Sequence, residues 1–389
     1  MYRVIIIGSK NYSTILGVAR SLGEAGYETN AICFDKRTAK ILRKSIYIIE
    51  SVCISDDFNE LWNAVETFRG NSEHVLIIPV NDYICKMIDE HAEQFFPHYS
   101  IPNRNNKPNE VIYFMNKMHQ KELAEKCGLL TAKGNCYSTD SIGIKDCLRE
   151  ISYPCFVKPP SSGSKMLLCL CKDNQNLTAA MERFAKHNID KVLIEEAISI
   201  TEELCLYGVA YNGKVFIPAC VVTIRGGFSN HKGVTAEGKV ISSSNLGVFT
   251  EQVKEFVLQS HFSGLFCIDI IRSENDLYFS EINLRSGGSE YAITQAGVNL
   301  PAALAAMVYE KPYDPPENIK QEVKFLNERI EFDALIDNYI SLRDFINHMS
   351  MDCKRLTKNE NDTGPWNELL MISLGRYIKR KIKKTRNKL

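Results

Sequence analysis

Leu265–Arg285 reads LFCIDIIRSENDLYFSEINLR, two short apolar runs joined by the polar turn SEND. The spacing predicts a β-hairpin. Its first strand carries one acid, Asp269, and its second ends in Glu281-Ile282-Asn283-Leu284-Arg285. Strand side chains alternate between faces, so Glu281, Asn283 and Arg285 are expected to point the same way. A tight turn would lay Asp269 beside Glu281. Two carboxylates and an amide on one face form an all-oxygen site for a hard cation such as Mg²⁺. An arginine one step further can hold a carboxylate or phosphate through two hydrogen bonds. An amphipathic hairpin with a solvated charged face has the same pattern, so the rest of the chain decides between the two.

The 389 residues suffice for two or three domains. Lys and Arg number 47, as do Asp and Glu, so the formal net charge is zero. No basic field argues for nucleic acid. The 13 cysteines are scattered through apolar runs, with no CxxC pair and no zinc-type His spacing. The closest pair, Cys169-Leu170-Cys171, reads as small core residues of a reducing compartment. No signal-peptide pattern opens the chain, and no apolar run reaches the ~18–20 residues of a membrane span. A cytoplasmic location is expected.

Taken in order, Tyr2–Gly8 (YRVIIIG) is suited to a buried parallel strand. Helical periodicity follows over Ser13–Ala25, then a strand over Glu28–Asp35. This βαβ pattern continues through a strand at Val75–Val80. The glycines after the first strand are Gly8 and Gly17, not GxGxxG, so a dinucleotide site is poorly supported. A Rossmann-like domain is expected over 1–108, with Ser9, Lys10, Asn81 and Asp82 at the strand ends that favour ligands. One helix is expected from Val111 to Cys127, with Lys117 inside it.

Further on, Lys158-Pro159-Pro160-Ser161-Ser162-Gly163-Ser164-Lys165 is a short Ser/Gly loop with a lysine at each end, ahead of a strand Met166–Cys171. Small residues let backbone N–H groups approach an anion, and the lysines add charge. A plain hairpin turn would look similar. Glu195-Glu196-Ala197-Ile198-Ser199-Ile200-Thr201-Glu202-Glu203 follows a strand, where acids can meet an amino group or ribose hydroxyls. Arg225–Gly233 is polar, glycine-rich and long enough for an active-site loop. Its His231 reads as a surface histidine, with general base as the rival role.

In order, spacing and element type, Lys117, Lys158 with its loop, Glu195–Glu203, Asp269, Glu281, Asn283 and Arg285 resemble the ATP-grasp superfamily. The resemblance covers about residues 1–312. It implies an α/β chain: the Rossmann-like domain, then an ATP-grasp domain over 109–312, with a small ATP-binding subdomain (about 117–195) and a larger catalytic one (about 196–312). It implies that Lys117 and Lys158 contact ATP phosphates, with Lys158 also serving catalysis, under a cover of Ser161, Ser162, Gly163, Ser164 and Lys165. Glu195, the Glu196 carbonyl and the Ile198 N–H would bind adenine. Glu202 would bind ribose by its distance from Glu195, with Glu203 the neighbouring alternative. Asp269, Glu281 and Asn283 would hold Mg²⁺, with Mn²⁺ the alternative cation. Arg285 would steady the substrate carboxylate and the phosphoryl group.

Within the superfamily, IGSKNYSTILGVARSLGEAGY and EINLRSGGSEYAITQAGVNLP look like carboxylate–amine ligases with a carbamoyl-phosphate-synthase-like core, nearest the D-aspartate ligase type. The implied reaction makes an acyl phosphate, which an amine attacks to give an amide, ADP and phosphate. A small carboxylate and a small amine are the implied substrates, on a cell-envelope or polysaccharide precursor. A carboxylate–thiol or other ATP-grasp ligase, and a non-catalytic nucleotide-binding scaffold, are the rival readings. Oligomer formation stays open.

Residues 313–389 lie outside the resemblance and read as a helical extension, with a helix over Leu335–Met349. The end, LLMISLGRYIKRKIKKTRNKL (369–389), repeats Leu370, Leu374, Ile378 and Ile382 every four residues among Lys and Arg. Either a soluble basic tail or a helix lying on an anionic membrane at the inner face fits this pattern.

Overall fold

A computed structural model describes residues 2–161, 168–228, 233–274, 276–313 and 315–386. Among the described residues the strands form three sheets. The first is parallel, in the order Glu50–Cys53, Glu28–Cys33, Arg3–Gly8, Val75–Pro79, Tyr99–Ser100. Its central strand, RVIIIG, is apolar on both faces because helices cover both, and its last five residues are buried. Gly8 ends it where a Cβ would lie 2.5 Å from Val80 Cγ2.

The second sheet is antiparallel: Cys169–Cys171, Cys155–Lys158, Lys191–Glu196, Gly134–Ser138. Helices Ser141–Glu150 and Asn174–Lys186 cover it, and its buried cluster draws only on this stretch of chain. The third and largest sheet runs Lys354–Arg355, Val323–Leu326, Thr235–Ser242, Lys214–Gly226, Glu202–Tyr211, Phe262–Ser273, Asp276–Asn283, Leu130–Thr131.

Two differences from the sequence expectations have local causes. The single helix expected over 111–127 is two, Glu110–Phe114 and Lys117–Lys126. Asn116 breaks it by accepting from the Met118 N–H at 2.9 Å, an N-cap that makes Lys117 the first residue of the second helix. Likewise 335–349 divides into Glu328–Asp337 and Leu342–Met349, where Asn338 takes a left-handed conformation at φ 58°. Of the strand expected over Met166–Cys171, Met166 and Leu167 lie outside the described residues, and Cys169–Cys171 is a strand.

Residues beyond 312 are built into the earlier parts. Val323–Leu326 and Lys354–Arg355 extend the largest sheet. Asp362 is fully buried and accepts from Arg20 Nε at 2.9 Å, Ser45 Oγ at 2.8 Å and the Ile46 N–H at 3.0 Å, tying this segment to the parallel sheet's helices. One buried cluster accordingly joins Val4, Ile15, Val209, Tyr291, Leu304, Phe325 and Leu369. Among the described residues no helix is long and apolar enough to cross a membrane.

Candidate active site

The hairpin forms as Phe262–Ser273 against Asp276–Asn283, with Asp269 directly opposite Glu281 and Cys267 opposite Asn283. A β-bulge aims its acids. The register slips between Asp269 and Ile270, so Phe279 faces Ile270 and Ser280 is the extra residue. Plain alternation would put Phe279 and Glu281 on one face. With the bulge, Phe279 is buried in the core at 3% exposure while Glu281 joins Asp269 on the other side.

On that side the polar groups hold one another. Asn283 Nδ2 donates to Asp269 Oδ2 at 3.2 Å. Arg285 donates from NH2 to Asn283 Oδ1 at 3.2 Å and from Nε to Asp82 Oδ1 at 2.8 Å. Burial, the largest influence, disfavours the Arg285 charge, but Asp82 together with Cys267 and Cys85 outweighs it and the pKa moves up, leaving a fixed cation. Asp82 opens a helix from the parallel sheet, capped by Asn81, whose amide donates to Ser9 Oγ at 3.1 Å. The loops after two parallel strands thus back the arginine.

Lys117 pairs with Glu281. Its pKa is lowered to about 8, by burial first and then by Lys158, against the pull of Asp269, Asp82 and Glu195. Those neighbours come from separate stretches of the sequence. Lys117 also meets the Ser/Gly loop: its N–H donates to the Pro160 carbonyl at 2.7 Å, and Asn116 forms a bridge with Ser161. Ser162, Gly163, Ser164 and Lys165 lie outside the described residues, as does His231.

In the small sheet Lys158 pairs with Leu193, and Phe156 with Glu195, so Lys158 and Glu195 are diagonal neighbours on one face. Lys158 Nζ lies 2.5 Å from Glu195 Oε2. Lys121, which no sequence motif marks, lies 3.6 Å from Glu195 Oε1 and donates to the Ala132 carbonyl. The available signal was its place four residues after Lys117 on the same helix face. Glu196 points to the other face and accepts from the Lys133 N–H at 2.9 Å. Ile198 lies in the link between the small and large sheets.

The two remaining acids divide by register. Glu203 pairs with Ile271 and Cys205 with Asp269, so Glu203, Cys205, Asp269 and Glu281 share one face. Glu202 pairs with Arg272, on the opposite face, and their side chains meet at 2.8 Å.

Asp269, Glu281 and Asn283 supply the hard oxygens that a divalent cation of the Mg²⁺ type takes. Such a cation commonly binds one or two carboxylates and completes its shell with phosphate and water. Two carboxylates and one amide fill only part of such a shell, so the donor set fits the phosphate-sharing kind of site. Gly287, two residues past Arg285, has a steric reason to be glycine: a Cβ there would run into the Tyr207 ring.

Residues 130–299 match the family model described as D-ala D-ala ligase C-terminus. Over 148 residues the chain is 30% identical to a D-alanine–D-alanine ligase of Caldicellulosiruptor bescii, covering 36% of this chain and 40% of that protein. Over 182 residues it is 30% identical to a formate-dependent phosphoribosylglycinamide formyltransferase of Bacteroides fragilis, covering 45% and 46%. The chain therefore spans less than half the length of these curated relatives. A solved N5-carboxyaminoimidazole ribonucleotide synthetase, in complex with ADP, superposes with a TM-score of 0.67 at 14% identity, covering 99% of this chain and 98% of that one. The chain thus shares the fold of that synthetase, and its residues 130–299 are similar to the D-alanine–D-alanine ligase C-terminal family. Lys117, Lys158 and Glu195 and the hairpin oxygens converge between the small and the large sheet.

Proposed function

We propose that the protein is an ATP-dependent ligase that joins a carboxylate to an amine through an acyl phosphate. The observation that carries this is the convergence on Lys117: Glu281 pairs with it, and Lys158, Asp269, Asp82 and Glu195 all act on its charge. A carboxylate is a poor electrophile, and ATP with its Mg²⁺ supplies the phosphoryl group that activates it. Asp269, Glu281 and Asn283 would hold the cation. Lys117 and Lys158 bind and orient the phosphates. Glu195 meets the adenine amino group, with the Glu196 carbonyl and the Ile198 N–H beside it. Ser161–Lys165 would serve to cover the phosphates and exclude water. Arg285, fixed by Asp82 and Asn283, orients the substrate carboxylate and neutralises charge as it is transferred. The register favours Glu203, rather than Glu202, as the acid that would meet the ribose.

The test is ADP release by the full chain over a panel of amino-acid carboxylates and amine acceptors. Release that needs Mg²⁺, a carboxylate and an amine together supports the reading. Thiols accepted in place of amines would move it to the thiol ligases. No Mg²⁺-dependent nucleotide binding under any condition would overturn it.

A second reading concerns helix Gly364–Arg386. It packs through Leu369 and Ser373, yet Met371, Leu374, Ile378 and Ile382 stay 48–71% exposed in a row beside basic residues. We infer peripheral contact of this row with an anionic lipid surface at the cytoplasmic face, each basic residue near it adding ~1 kcal/mol. Arg376 and Arg380 are already paired with Asp333 and Asp337, so the electrostatic contribution falls to the lysines, the exposed Lys379 among them. Liposome sedimentation of a Leu374→Gln, Ile378→Gln, Ile382→Gln variant checks it; sedimentation equal to the parent protein's rejects it.

A further inference from the structure

At the carboxyl edge of the parallel sheet lies a cavity of about 270 Å³, lined by none of the hairpin residues. Lys10 reaches it from the loop after Arg3–Gly8 and Tyr12 from the start of the helix that follows, Asp35 from the loop after Glu28–Cys33, Arg37 from helix Lys36–Leu42, Arg329, Asp333 and Asp337 from helix Glu328–Asp337, and Arg376 from the last helix. Four cations thus face three carboxylates. The carboxylates are engaged: Asp35 accepts from the Thr38 N–H and hydroxyl at 2.8 Å, Asp333 lies 2.8 Å from Arg376, and Asp337 pairs outward with Arg380.

The donors are not all used. The Arg37 Nε is buried without a hydrogen-bond partner. So is the Tyr12 hydroxyl, on a side chain 2% exposed, and burial holds that phenol well above its ordinary pKa, as a donor. Buried donors left unpaired cost stability and point to a missing acceptor. Tyr12 also begins a 13-residue helix that has no acid in its first turn and no side-chain cap, so the N-terminal partial positive charge is uncompensated. Burial, then Arg376, hold the Arg37 guanidinium below its ordinary pKa, a repulsion an anion would relieve. The loop that carries Lys10 also carries Ser9, which accepts from Asn81 at 3.1 Å, and the next residue, Asp82, holds Arg285, so a chain of polar contacts leads from this loop to Arg285.

We propose that this cavity binds a second anionic group, phosphate or carboxylate, of the substrate whose acid is activated at Arg285, through Arg37, Arg329, Tyr12 and Lys10. This rests on the ligase reading for its substrate, but the cavity is tested without it. The preferred substrates would then be dianions, such as dicarboxylic or phosphorylated acids.

The experiment titrates inorganic phosphate and malonate separately into the full chain by calorimetry, with and without MgADP. Arg37→Gln and the near-isosteric Tyr12→Phe are compared with the parent protein, and melting curves confirm that both fold. Removing the guanidinium in Arg37→Gln should weaken anion binding about tenfold or more, and removing the hydroxyl in Tyr12→Phe should weaken it less, with MgADP affinity unchanged in both. Tighter phosphate binding indicates a phosphorylated substrate, tighter malonate binding a dicarboxylic one; both support the site. Failure of the parent protein to bind either anion at millimolar concentration overturns it, as does equal anion binding by parent and variants. Loss of MgADP binding in the parent protein with anion binding intact would instead sink the ligase reading and leave the cavity standing.

Discussion

Replacing Glu203 by Gln, and separately Glu202 by Gln, distinguishes two residues that the sequence leaves side by side. The strand register gives them opposite surroundings. Glu203 shares its face with Cys205, Asp269 and Glu281. Glu202 faces Arg272, 2.8 Å away, with the two side chains 46% and 30% exposed. A hydrogen bond to a charged group contributes ~1.5–3 kcal/mol, and the exposed position of Glu203 argues for the lower end. Glu203→Gln should therefore weaken MgADP binding about tenfold. Glu202→Gln removes a surface ion pair, which costs ~0–1 kcal/mol of stability and leaves nucleotide affinity unchanged. Calorimetric titration with MgADP reads the first quantity and thermal melting the second. The reverse outcome, weaker binding for Glu202→Gln and no change for Glu203→Gln, would refute the assignment by strand face.

Glu281→Ala removes one of two hairpin carboxylates and should lower ADP release by more than about a hundredfold with melting little changed; near-normal turnover would remove Glu281 from the metal site. Glu290, 1% exposed, has its Oε1 buried without a hydrogen-bond partner, and burial raises its pKa from 4.5 to about 8. The folded protein then keeps a proton that the unfolded chain releases above pH 4.5, so this contribution falls as pH rises from 4.5 to 8, by ~1.4 kcal/mol per unit. Glu290→Gln should match the parent near pH 4.5 and melt higher at about pH 9; parallel melting curves across that range would contradict the burial argument. Asp362→Ala strands Arg20, 0% exposed, and should cost about 3–5 kcal/mol in denaturant unfolding; a loss under about 1 kcal/mol would mean the pair is dispensable.

Periodicity made the parallel sheet legible, because a strand buried on both faces must be a continuous apolar run, as YRVIIIG is. The ATP-grasp fold was legible from the order of short polar motifs, none of them specific alone. What the sequence hid depends on single residues that shift a register or end a helix. Ser280 looks like one more strand residue, yet as the bulge it decides that Glu281 and Phe279 part company. Asn116 looks like a helix interior, yet its cap puts Lys117 at a helix start beside the loop that follows Lys158. Glu202 and Glu203 could not be separated by counting from Glu195, since parity depends on where the pairing begins. Lys121 and the cavity at Arg37 draw on residues tens to hundreds of positions apart, and no local pattern marks them.

The division of the buried clusters bears on how such a site can work. The parallel sheet, the large sheet and residues 323–369 share one apolar cluster, so moving any of them against the others would expose buried surface. The small sheet has a cluster of its own, drawn from residues 137–194. Polar ties from it to the rest pass through the site itself: Lys121 to Glu195 and the Lys117 N–H to Pro160. Few apolar contacts therefore resist a shift of the small sheet, while charged contacts at Lys117, Lys158 and Glu195 define where it rests. Those are the groups assigned to the nucleotide, so a ligand that engages them acts on the position of the small sheet directly. The hairpin, by contrast, is anchored in the large core through Phe279 and Ile282, which keeps Asp269, Glu281, Asn283 and Arg285 fixed while the opposite wall adjusts.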